Sequence, residues 1–96
     1  MAQSERIERT ALRNLVFNEE YTRRVIPFIR KEYFEDRAER TIFEEIQKFV
    51  TEYNKNPTRE TLEIDLQKRK DLNETEYNRI VDVIKSLNPQ DVDLDW

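Results

Sequence analysis

The chain has 96 residues, enough for one domain and too few for two. Lys and Arg number 17 against 21 Asp and Glu, for a net charge of −4, and Gly, Cys and His are absent. Those absences exclude Gly-lined phosphate loops, disulfides, zinc or iron–sulfur ligation by thiolate, thiol catalysis, histidine general-base chemistry and the Glu-x-x-His di-iron pattern.

What is left is rich in Glu, Arg, Leu, Ile and Lys, residues that lose little rotamer freedom in a helix. Ser4 is a candidate N-cap, and Ile7, Ala11, Leu12, Leu15 and Val16 follow at helical spacing, which predicts a first helix over about 5–17. Asn18 is placed to cap a short second helix with Tyr21, Val25 and Ile26 inward. Pro27 disfavours α conformation at Ile26 and marks a bend. Phe28, Ile29, Tyr33 and Phe34 are large enough to plug a bundle from a short helix or irregular connection.

The third helix is the clearest. Asp36 and Glu39 form a capping-box pair, and Ile42, Phe43, Ile46, Phe49, Val50 and Tyr53 make a wide aromatic stripe suited to a central helix. On that reading the aromatics belong to the core and are no base-stacking platform. Asn54–Pro57 ends the helix. Thr58 caps a fourth helix, over about 59–70, with Leu62 and Leu66 on one face. Asn73 and Glu76 form a second capping box, opening a fifth helix with Tyr77, Ile80, Val81, Ile84 and Leu87 as its stripe. Asn88-Pro89 stops it. A gap of about three residues between the last two helices predicts an antiparallel αα-hairpin. The expected fold is therefore all-α: a compact bundle of about three helices plus a C-terminal αα-hairpin, over residues 1–88.

Residues 89–96 read as an acidic tail or the start of a linker. Residues 1–87 are nearly neutral; Asp91, Asp93 and Asp95 supply most of the net charge. A mixed, near-neutral surface offers no field to attract nucleic acid. No apolar run is long enough to cross a membrane or to form a signal-peptide core, so no membrane association is expected.

Candidate chemistry is sparse. Glu19-Glu20, Glu35-Asp36 and Glu44-Glu45 are adjacent pairs, which point about 100° apart on a helix and do not converge as an acid–base or metal pair would. They read as solvated faces. Ser4 and Ser86 have no base. No catalytic residue, cofactor site or metal site is assigned. Lys68-Arg69-Lys70 sits where cations complement a helix dipole, or else contacts phosphate or an acidic partner. A helix-turn-helix reading of the last two helices fails on charge, because Glu74 and Glu76 open the would-be recognition helix. Ile64 points away from the Leu62–Leu66 stripe, and Val83 flanks the last stripe beside Leu87. Ile64, Val83 and Leu87, with Lys68 and Arg69, are the candidate partner or oligomer interface; the alternative is ordinary apolar surface.

The ordered series L-V-F-N-E-E-Y (Leu15 to Tyr21), K-E-Y-F (Lys31 to Phe34), I-F-E-E-I-Q-K-F-V-T-E-Y (Ile42 to Tyr53), N-P-T (Asn56 to Thr58) and N-E-T-E-Y (Asn73 to Tyr77) resembles the N-terminal domain of DnaB-type replicative DNA helicases. The version carried by large tailed phages of the T-even kind is the most similar in look. The resemblance covers about residues 10–88 and transfers no catalytic residue. It implies a non-catalytic collar domain that self-associates within a hexameric ring and docks primase, and possible contact with a helicase loader. Single-stranded DNA and ATP would be handled by a separate motor domain, in the host cytoplasm at the replisome. It also implies an excised piece, with a natural start at Met1 and a cut before a linker at Trp96. The competing expectation is a stand-alone phage adaptor or small DNA-binding regulator of helical type.

Overall fold

The computed structural model describes residues 7–87, and among these it contains five α-helices, one short 3-10 turn and no strand. The helices are α1 (Ile7–Phe17), α2 (Glu19–Val25), α3 (Arg37–Tyr53), α4 (Arg59–Gln67) and α5 (Glu74–Ser86), with the 3-10 turn at Lys31–Tyr33. The expected Ser4 cap and the Asn88-Pro89 stop lie outside the described residues, as does the 89–96 tail.

The boundaries follow from side chains that satisfy the backbone donors every helix start leaves free. Asn18 Oδ1 accepts the Tyr21 amide, Asp36 Oδ2 the Glu39 amide, and Thr58 Oγ1 the Thr61 amide. At α5 both halves of the capping box are present, with Asn73 accepting from Glu76 N at 2.8 Å and Glu76 accepting from Asn73 N at 3.1 Å. At α3 Glu39 instead turns its carboxylate to Arg9, 3.1 Å from Nε. The end of α3 is closed by Asn54 in the left-handed region (φ 59, ψ 35), its amide bonded to the Val50 carbonyl.

Helix α3 is the axis of the bundle, packed against α1, α4 and α5. Its buried residues Ile42, Phe43 and Ile46 meet Leu12, Leu15 and Val16 of α1, Leu62 and Leu66 of α4, and Ile80 and Ile84 of α5 in one hydrophobic cluster. Phe34 stacks on Phe43 with ring centroids 5.1 Å apart. Thr22, buried on α2, donates its hydroxyl to backbone carbonyls of Leu15 and Asn18 and so locks α2 onto the end of α1.

Several expectations are corrected. Ile7 begins α1 but is 84% exposed, outside the core. Ile26 is αR despite the proline after it, because its amide still reaches the Thr22 carbonyl; the bend comes one residue later, as a turn closed on Val25 O by Phe28 and Ile29. Of the four residues expected to plug the bundle, Phe34 is buried and Ile29 partly so, while Phe28 and Tyr33 are exposed. The α3 stripe narrows toward its end: Phe49 is only half-buried and Tyr53 is exposed. Val81 is likewise half-buried and outside the core cluster, whereas Val83 is in it. Helix α4 stops at Gln67, so six residues, not about three, connect it to α5.

Candidate interaction surfaces of the bundle

The hairpin is antiparallel. The Arg59 guanidinium at the start of α4 donates to the Leu87 carbonyl at 3.0 Å, and Tyr77 of α5 donates to the Glu63 carbonyl at 3.5 Å. Leu62 and Leu66 turn inward, and the 100° step of an α-helix leaves Ile64 on the outer side, 54% exposed. That placement agrees with the spacing argument.

Val83 and Leu87 do not join Ile64 there. Val83 is 9% exposed and Leu87 fully buried, both within the hydrophobic cluster. The reason is that α5 faces α3 as well as α4, so its apolar arc is wider than a hairpin seam alone requires. The outer apolar face therefore holds Ile64 without the two α5 residues.

Lys68 and Arg69 also part company. Lys68 forms the C-cap of α4 and is exposed. Arg69 is engaged within the chain. Its fork takes Asp71 through two bonds of 3.0 and 2.7 Å and reaches Glu45 at 3.2 Å and Glu44 at 3.4 Å. The Asp71 hydrogen bond raises the Arg69 guanidinium above its ordinary pKa, and the same bond holds the Asp71 carboxyl below its own. Glu45 is thus a buried ion-pair partner and no part of a solvated face, a correction to the reading of Glu44-Glu45. Adjacent carboxylates in sequence gave no signal of this, since their partner arrives from 24 residues away.

A second surface was missed. The tail end of α3 and the end of α4 enclose an open cleft of about 220 Å³ lined by Lys48, Phe49, Tyr53, Asp65 and Lys68, among others. The Phe49 and Tyr53 rings lie 4.6 Å apart and tilted, forming an aromatic wall outside the core. Sequence periodicity put both rings on the core stripe because i, i+4 spacing shows a shared helix face but not how far a neighbour covers it.

Among the described residues no group of three or more acids could hold a metal ion. None of the described helices is long and apolar enough to cross a membrane.

The comparisons with known proteins agree with this geometry. The model of the DnaB-like helicase N-terminal domain matches residues 1–92. A relative in Enterobacteria phage T4, described as a DnaB-like replicative helicase, is 31% identical over 85 residues, which is 88% of this chain and 18% of the relative. The chain thus spans about a fifth of that protein's length. No solved structure gives a significant match. Matched over nearly its whole length by the family model, the chain belongs to the DnaB-like helicase N-terminal domain family.

Proposed function

We propose that this domain is the non-catalytic collar module of a phage replicative DNA helicase. It serves hexamer assembly and primase docking in the host cytoplasm, while an ATP-driven motor elsewhere in the same protein moves on single-stranded DNA. Two facts support the reading: the family match over 1–92, and the similarity to 18% of a much longer replicative helicase. The observation that carries it is the α4–α5 hairpin. It is clamped at its open end by Arg59 and seated on α3, yet it keeps Ile64 outward with the Lys68 cation at the end of the same helix. An exposed apolar side chain on a rigid two-helix edge is what a contact repeated around a ring can use. Each contact is weak, and linkage of many copies multiplies it.

The test is sedimentation of the chain at several concentrations beside an Ile64→Glu variant. The parent should self-associate weakly and the variant should stay monomeric with unchanged far-UV dichroism, because a carboxylate is costly to desolvate in an apolar contact. Equal self-association of both would overturn the hairpin as the assembly surface. A reading frame that continues past Trp96 into a Gly-rich phosphate loop is expected for the helicase; a stop codon there would favour a free-standing adaptor.

A further inference from the structure

We propose that the first turn of α3 works as a strap that couples α5 to α1: while Arg79 of α5 grips Asp36, Arg9 of α1 is held on Ser86 at the far end of α5. The proposal does not depend on the ring reading.

The strap is one helical turn carrying two acids, and Asp36 does two things at once. Its Oδ2 accepts the Glu39 amide at 3.0 Å, which caps α3. Its Oδ1 accepts Arg79 Nη2 at 2.6 Å, with Arg79 Nη1 3.4 Å from Oδ2. Arg37, the next residue, answers in the other direction, with Nη2 3.5 Å from Glu76 Oε2. Glu76 is itself half of the α5 capping box. The starts of α3 and α5 are therefore cross-tied, each capping carboxylate taking an arginine from the other helix.

The second acid carries the tie onward. Glu39 has its amide fixed by Asp36 and its carboxylate fully buried, where Arg9 Nε donates to it at 3.1 Å. Another arm of the same guanidinium, Nη1, donates to Ser86 Oγ at 3.1 Å. Ser86 is the last residue of α5, and its hydroxyl donates in turn to the Val83 carbonyl. A chain of contacts thus runs from Arg79 through Asp36, Glu39 and Arg9 to Ser86, leaving α5 and returning to it seven residues later.

Burial decides which link yields first. The Arg79 side chain is 59% exposed, so its pair with Asp36 is weak and open to screening by salt. The Glu39 carboxylate is out of water, and a buried charge that loses its partner is costly, so Glu39 and Arg9 move together. When Arg79 lets go, Asp36 loses a partner that fixes its rotamer, the first turn of α3 loosens, and Glu39 moves with it. Arg9 follows Glu39 and draws away from Ser86, which frees the last turn of α5. Arg79 is the handle of the strap, because a competing anion reaches it from solvent.

Hydrogen exchange on the 96-residue chain tests the coupling. Arg79→Gln should speed exchange of the Glu39 amide, held by Asp36, and of the Leu87 amide, held by Ile84, by roughly threefold, the scale of one exposed ion pair. Ile46 at the centre of α3 should keep its protection. Asp36→Ser should act like Arg79→Gln at Leu87, although serine still caps the helix, because the acceptor for Arg79 is gone. Ser86→Ala removes the last link without touching the buried pair and should speed Leu87 by itself. Adding Arg79→Gln to Ser86→Ala should speed Leu87 no further, since links of one chain of contacts do not add. Arg59→Ala, which loosens Leu87 from the side of α4, should add to Arg79→Gln in full. Salt should bring the parent toward the Arg79→Gln rate. Circular dichroism confirms that each variant is folded. An effect of Arg79→Gln confined to the first turns of α3 and α5 overturns the proposal. So does full additivity of Arg79→Gln with Ser86→Ala. Equal acceleration at Ile46 assigns Arg79 to global stability and overturns the strap as well.

Discussion

Arg59 and Leu87 close the hairpin from the end where no loop joins it. The Arg59 guanidinium donates to the carbonyls of Leu87 and Lys85 at 3.0 and 3.4 Å, and it lies 5.8 Å from the centre of the Phe17 ring. A cation on the last carbonyls of α5 complements the negative end of that helix. The same contact ties α4, α5 and the end of α1 at one point.

Arg59→Ala should destabilise the domain by about 1 kcal/mol, a charged hydrogen bond discounted for partial exposure. The loss should be local first: amide exchange should speed up in the last turn of α5 before the middle of α3. Unchanged protection at Ile84 to Leu87 would show that the clamp is idle.

Ile46→Ala should be far more severe. Ile46 is fully buried at the centre of α3, where α1 and the hairpin both press on it. Removing its methylene groups leaves a cavity that a close-packed core fills only in part, at ~2–5 kcal/mol. Urea unfolding measures this; a change below about half a kcal/mol is the range of an exposed site and would contradict the packing.

A pair of identical substitutions separates surface from core on the hairpin. Val83→Glu places a charge at a site only 9% exposed and should unfold the domain or cost several kcal/mol, about the scale for burying an unpaired charge. Ile64→Glu should leave the unfolding midpoint within about half a kcal/mol of the parent, as exposed sites do. Thermal scans of the two at low concentration give the comparison; equal damage by both would mean that α4 is rotated from its described position.

Most of the fold was legible in the sequence because capping and periodicity are local. Asn18, Asp36, Thr58 and Asn73 announce their helices through side-chain oxygens that bond amides three residues on, and those bonds form with little regard to the rest of the chain. The spacing of Leu62 and Leu66 likewise fixed the outward direction of Ile64. What stayed hidden depends on partners distant in sequence. Val83 is buried because α3 covers a flank of α5, and Glu45 pairs with Arg69, which arrives from the connection between α4 and α5. Phe49 and Tyr53 fall outside the core cluster although their spacing continues the α3 stripe, because spacing shows a shared face and not what covers it, and a helix stop at Gln67 rather than Lys70 is beyond the resolution of pattern reading.

The Arg69–Asp71 pair predicts a pH dependence. Its hydrogen bond lowers the Asp71 pKa in the folded state. The stabilisation is therefore complete above the ordinary Asp range near ~3.9 and disappears as pH falls through the lower folded value. Asp71→Asn should be less stable than the parent at neutral pH, and the gap should close in acid. Denaturant midpoints at neutral and acid pH test it; a gap of constant size across that range would mean the carboxylate charge contributes nothing.

Asn54 is the one residue with positive φ among those described, and it stands where a helix end commonly takes glycine. A fold that turns left-handed only there can be written without glycine anywhere. That choice acts on the denatured ensemble: a chain of residues bearing Cβ atoms samples fewer backbone states when unfolded, so it has less freedom to surrender on folding. A domain with a small core gains stability in this way without adding a single contact.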